Sequence, residues 1–122
     1  MKTLISIIQP RLEQAQLLPD GLWELLDEQA YLDYRDSADF DAAWIAAYQK
    51  LHRDGLKPVE QEQMQEWSRL AFDQVIRASG SGDLAAYIAD DIDLIFCAYL
   101  LGVEDEFVHW LAECYAEQRL PA

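Results

Sequence analysis

Basic residues are scarce. Nine Lys and Arg stand against 23 Asp and Glu in 122 residues, for a formal net charge of −14. Nucleic-acid binding needs Lys and Arg to displace counterions, so this balance excludes DNA or RNA as a partner and disfavours anionic lipid. Two histidines and two cysteines are a thin supply for catalysis or metal binding. Cys97 and Cys114 lack zinc-ligand spacing. They read as small core hydrophobes in a reducing compartment, with a disulfide between them as the lesser alternative. His109 and Cys114, five positions apart, fall on different faces of a helix, so no local Cys-His dyad exists. His109 instead precedes Glu113 by four residues, which suits a surface pair. No His-Glu-x-x-His element occurs, and Gly80-Ser81-Gly82 is followed by Asp83, where a phosphate loop needs Lys.

Long hydrophobic runs are also missing. The longest uncharged apolar stretch is Leu94 to Val103, well short of the roughly 18 residues of a membrane span. The apolar patch Leu4 to Ile8 is cut off by Gln9, Pro10, Arg11 and Glu13, too early for a secretory leader. These absences point to a cytoplasmic protein with no membrane partner and no cofactor.

What the chain does contain is helical. Hydrophobic residues make up 52%, enough for a core, and the length suits one domain over 1–122. Apolar residues recur at helical spacing in six segments. The first runs from Thr3 to Leu17, with Pro10 expected to kink or split it. Pro19-Asp20-Gly21 makes a turn, with Asp20 as a cap for a second helix from Leu22 to Tyr34. Ser37-Ala38-Asp39 offers a cap for a third, Phe40 to Arg53, closed by Gly55 as a left-handed cap. Pro58 suits the first position of a fourth helix, which ends at Ser79-Gly80-Ser81-Gly82. A fifth spans Asp83 to Leu101, capped by Asp83 and stopped by Gly102. A sixth spans Glu104 to Arg119, with acids loading its first turn. The fold expected is all-α, a compact bundle of about six mostly antiparallel amphipathic helices. Trp23, Trp44, Trp67 and Trp110 each lie on an apolar stripe, as core residues do.

Two acidic strings exceed what such a fold requires. Asp90, Asp91 and Asp93 lie inside the fifth helix. Consecutive helical residues point about 100° apart, so these three cannot converge unaided on one cation. Asp90 and Asp93 share a face, while Asp91 sits nearer the stripe of Ile88, Ile92 and Ile95. The second string is Asp33, Asp36, Asp39 and Asp41, interrupted by Tyr34, Arg35 and Phe40. Capping chemistry accounts for many loop aspartates. Acids mixed with aromatics also make a hot spot for a basic partner. All seven are candidate partner-binding residues. No catalytic or metal-binding residue is assigned.

In overall character the chain resembles small, acidic, all-helical bacterial immunity proteins that neutralise toxins. The Asp90-Asp91-Ile92-Asp93 helix, Leu100-Leu101-Gly102 and the closing Phe107 to Pro121 segment carry the resemblance. It implies an inhibitor rather than an enzyme, acting on a basic protein such as a nuclease, whose substrate groove an acidic face would occupy. Two other readings stay open. One is a helical regulatory or adaptor domain that binds its partner in an interhelical groove. The other is a carboxylate metal-binding protein, which would lack the Glu-x-x-His pairs usual in helical bundles.

Overall fold

Helix starts and stops decide this architecture, because the chain is almost continuously helical between them. The computed structural model describes residues 1–122. It contains α1 (Lys2–Glu13), α2 (Leu22–Leu25), α3 (Glu28–Arg35), α4 (Ala38–Gln49), α5 (Pro58–Ser79), α6 (Gly82–Leu101) and α7 (Glu106–Ala116), with a 3-10 turn at Arg53–Gly55. There are no strands, so the fold is an all-α bundle.

The longest pair, α5 and α6, forms a hairpin that packs along its whole length. Pro58 starts α5, and Glu60 accepts a hydrogen bond from the Lys57 N–H at 2.9 Å. Gly80 ends it at φ +71°, a conformation that favours glycine. Ser81 then caps α6 by accepting from the Leu84 N–H at 3.2 Å. Helix α6 is the central element. Ile88, Ile92, Leu94, Ile95, Phe96 and Cys97 on it are fully buried, and it touches α1, α3, α5 and α7. One continuous core of 27 buried residues draws on every helix but α2, whose Leu22 and Trp23 pack against its edge. Cys97 and Cys114 are buried free thiols. No helix is long and apolar enough to cross a membrane.

Several boundaries depart from the sequence pattern. Helix α1 passes through Pro10 undivided and stops at Glu13, short of Leu17. Its end is a Schellman motif. The Gln16 N–H donates to the Arg11 carbonyl and the Ala15 N–H to that of Leu12, with Ala15 left-handed at φ 56°. The side chain of Gln74 on α5 then takes over, accepting from the Leu17 N–H at 3.1 Å and donating to the Leu12 carbonyl at 2.7 Å. Leu17 and Leu18 are thereby buried as a loop rather than a helical turn. Helix α7 ends by the same motif with Gln118 left-handed at φ 57°. Because neither residue is glycine, neither stop was visible in the pattern.

The expected second helix is two. Asp27 is extended and accepts from the Ala30 N–H at 3.1 Å, so it restarts the chain as the cap of α3. Asp20 makes no cap, and Asp83 lies in the first turn of α6 rather than capping it. Gly55 falls in the 3-10 turn and is not left-handed, so the third helix ends at Gln49 rather than Arg53.

Asp105 secures the far end of the bundle. It caps α7 by accepting from the Val108 N–H at 3.0 Å and receives Lys50 Nζ at 2.6 Å. Burial alone would raise its pKa. The bonds from Lys50 and from the helix N-terminus outweigh that and leave it below its ordinary 3.8. A depressed carboxylate stabilises the fold above its ordinary pKa, and the contribution is lost as pH falls through the depressed value. Asp105→Ala is therefore expected to lower stability by about 1–2 kcal/mol at neutral pH. In urea denaturation, the gap between the two proteins should close progressively below pH 4.

Candidate functional site: an acidic face over a buried ion pair

The two acidic strings meet in space. Helix α3 packs against α6, and α4 packs against α3 and α7 and reaches α6 through Trp44, so that residues 33–41 approach residues 87–93. What joins them is Arg35, which in the sequence only interrupts the second string. It is only 4% exposed and forms a bidentate pair with Asp91, Nη1 to Oδ2 at 2.9 Å and Nη2 to Oδ1 at 2.7 Å.

Asp91 is fully buried, which overturns its reading as a partner-binding residue, since a partner cannot reach it. It also receives Trp44 Nε1 of α4 at 3.0 Å and the Tyr115 hydroxyl of α7 at 2.5 Å. Burial pushes its carboxyl up, against the charge of Arg35 and the bonds of Arg35, Tyr115 and Trp44. Three of its four bonds come from Arg35 and Trp44 N–H groups, which can only donate, and the Tyr115 hydroxyl supplies the fourth, so the geometry suits the carboxylate. On Arg35 burial works in the opposite direction, but the Asp91 charge and hydrogen bond outweigh it and hold the guanidinium charged. Burial also keeps the Tyr115 phenol protonated well past its usual range, and so a donor. Tyr31 completes the cluster. Its hydroxyl accepts from Arg35 at 3.4 Å and donates to the Pro121 carbonyl at 3.1 Å, and burial raises its pKa to about 12. The Arg35 guanidinium carbon lies over the Phe40 ring, 4.5 Å from its centroid, and over the Tyr87 ring at 4.8 Å.

The remaining candidates sit above this cluster. Asp33, Asp36, Asp39, Asp41 and Asp90 are exposed, and none is in an ion pair. Asp33 accepts from Gln29 one turn earlier, and Asp39 and Asp41 occupy the first turn of α4. Asp36 accepts a hydrogen bond from the Tyr87 hydroxyl and thereby raises the phenol's pKa, with burial a smaller cause. Asp41 and Asp90 flank a hollow of about 220 Å3 between α4 and α6. Asp93 is set apart. It is half-buried and paired with Arg53 at 2.8 and 3.3 Å. The structure thus brings Asp36, Asp41 and Asp90 to one face, leaves Asp33 and Asp39 on the exposed sides of their helices, and engages Asp91 and Asp93 internally.

Aromatic side chains share that face. Trp44 is half-buried and stacks on Tyr48 at 5.7 Å, and Tyr48 and Ile45 are exposed. Trp67 alone of the four tryptophans is buried, the other three being half-buried. No three His, Cys, Asp or Glu side chains converge as metal ligands would. His109 Nε2 meets Glu113 at 2.8 Å on the surface, as the spacing predicted.

A family model described as immunity protein PIM1 matches residues 7–122. The chain belongs to the PIM1 immunity protein family. No curated protein gives a significant match. The resemblance to immunity proteins, drawn from overall character, is therefore correct at the level of family and role. The match covers nearly the whole chain, including α3, α4 and α6, which carry the acidic face.

Removing one partner of a buried pair strands the other charge, which typically costs about 3–5 kcal/mol. Arg35→Met and Asp91→Leu should each fall in that range by urea denaturation. The double variant should lose less than the sum of the two, with a coupling of about 2–3 kcal/mol. Additive losses would show that the two side chains do not act together.

Proposed function

We propose that this PIM1 immunity protein neutralises its toxin by binding it directly through the face formed by α3, α4 and the middle of α6, and that it carries out no catalysis. The observation that supports this reading is the meeting of two acidic strings, distant in sequence, beside half-exposed aromatics. Charged groups that this fold uses for itself are often paired, and others cap helices. Arg35, Lys50, Arg53, Arg69 and Arg119 already hold Asp91, Asp105, Asp93, Glu66, Asp73 and Glu117. Asp36, Asp41 and Asp90 have no such partner, while Asp33 and Asp39 extend the same negative field. Trp44, Tyr48 and Tyr87 supply the residue types that anchor interfaces.

The toxin best suited to this surface is basic. Opposite fields speed encounter and discriminate against other partners, and the contribution weakens as salt rises. A nuclease fits, because a groove that binds nucleic acid is itself lined with cations. On this account the immunity protein occupies the place of the substrate. An adaptor that docks by an apolar groove alone would show little dependence on salt or on these carboxylates.

The test is protection. Cells producing the cognate toxin should survive when the wild-type protein is co-produced. The variant Asp36→Asn/Asp41→Asn/Asp90→Asn, retaining its melting temperature, should associate at least tenfold more slowly at low salt and protect poorly. Full protection and unchanged association by the triple variant would rule out this face as the contact surface.

A further inference from the structure

The hollow between α4 and α6 has a composition of its own. Its walls are the rings of Phe40, Trp44 and Tyr87, its rim carries the carboxylates of Asp41 and Asp90, and Arg35 contributes to its floor. Ile45, 44% exposed, stands at its edge. At about 220 Å3 the space is too small for a helix or strand but fits one long side chain.

The layer beneath holds a comparable group. The Arg35 guanidinium lies over the rings of Phe40 and Tyr87 and donates to both oxygens of Asp91. Aromatic contact joined to a carboxylate that takes two N–H groups is an arrangement that suits a guanidinium. The hollow repeats the same elements one layer outward. Tyr87 and Trp44 again provide aromatic surface, and Asp41 and Asp90 again provide carboxylates. The outer layer lacks only the cation. Arg35 and Asp91 cancel each other, so the two rim carboxylates leave the hollow with a net charge of −2.

One further fact agrees. Asp90 has its pKa raised by partial burial and then by the charges of Asp91 and Asp93, so its ionised form is held against local repulsion that a bound cation would relieve.

We propose that this hollow receives an arginine side chain of the toxin, with its guanidinium against Trp44 and Tyr87 and its N–H groups donated to Asp41 and Asp90. The proposal rests on the immunity reading for the source of the arginine, and it adds the residue type that anchors the contact. A lysine would reach the carboxylates as a point charge but would gain less from the ring faces and could not bind two acids in one plane.

The free immunity protein tests this without the toxin. The probe is N-acetyl-arginine amide, titrated into 15N-labelled protein through the millimolar range, with N-acetyl-citrulline amide as the uncharged isostere and N-acetyl-lysine amide as the point charge. The expected result is a saturable shift of the Trp44 indole N–H and of the Tyr87 and Asp90 amides with the arginine probe. Citrulline should produce none, and lysine should bind at least threefold more weakly. Asp41→Asn/Asp90→Asn, with an unchanged melting temperature, should abolish the arginine shift, while Asp33→Asn/Asp39→Asn should leave it intact. Absence of a saturable shift, equal shifts with citrulline or lysine, or persistence in the Asp41/Asp90 variant would each overturn the proposal. Protection against the toxin is measured separately, so failure of the probe would leave the immunity reading standing, and loss of protection with an intact probe response would count against that reading alone.

Discussion

The pair between Arg35 and Asp91 organises this molecule. Two opposite charges in a dry interior are tolerated only if their geometry is close to ideal and their remaining hydrogen-bonding capacity is met. Here the conditions recruit four helices and leave only Arg35 Nε without a partner. Arg35 comes from α3, Trp44 from α4, Asp91 from α6 and Tyr115 from α7, and Tyr31 carries the cluster on to the Pro121 carbonyl near the C-terminus. Helices α3 and α4 are short and bury little of their own surface. Tyr31 and Arg35 are the buried residues of α3, and Phe40 and Ala47 those of α4. Apolar burial alone gives them a weak hold on α6. A specific polar connection fixes both their position and their register, which burial by itself specifies poorly.

That connection explains how an acidic surface can be ordered as well as charged. An excess of carboxylates destabilises a compact state through self-repulsion, and most of the chain answers this by local pairing or by placing acids at helix N-termini. Asp105, Asp27 and Glu60 are spent on starts, while Asp93 and Asp73 meet arginines. Asp33, Asp36 and Asp90, which neither meet a base nor stand in a helix's first turn, lie with Asp39 and Asp41 where α3 and α4 are pinned to α6. The buried pair therefore sets the spacing of the exposed acids above it, although it never meets a partner itself.

Much of this was legible in the sequence. Helical periodicity located every long element, and Pro58, Gly80 and Gly102 marked real boundaries. Boundaries that depend on tertiary partners were not legible. Ala15 and Gln118 adopt left-handed conformations that nothing in their side chains announces, and Gln74 satisfies the end of α1 from across the bundle. The candidate site divided in the same way. Asp36, Asp41 and Asp90 were found as surface acids, and their convergence required the fold. Asp91 was grouped with them because its neighbours are acids, although its alignment with Ile88, Ile92 and Ile95 already marked the buried side of α6. A charged residue on an apolar stripe needs a buried partner. Arg35, one turn after Tyr31 on a short helix, was the available one.

This buried pair, more than the apolar contacts of Phe40 with Phe107 and Trp110, fastens α3 and α4 to the bundle. Residue-resolved hydrogen–deuterium exchange of the wild type and of Asp91→Asn tests it most directly, because exchange reports the local opening of each helix separately. The account predicts that amides in residues 28–49 lose protection by at least an order of magnitude in the variant, while those in α1, α5 and the core of α6 change little. Unaltered protection in α3 and α4, or a uniform loss across all seven helices, would contradict it.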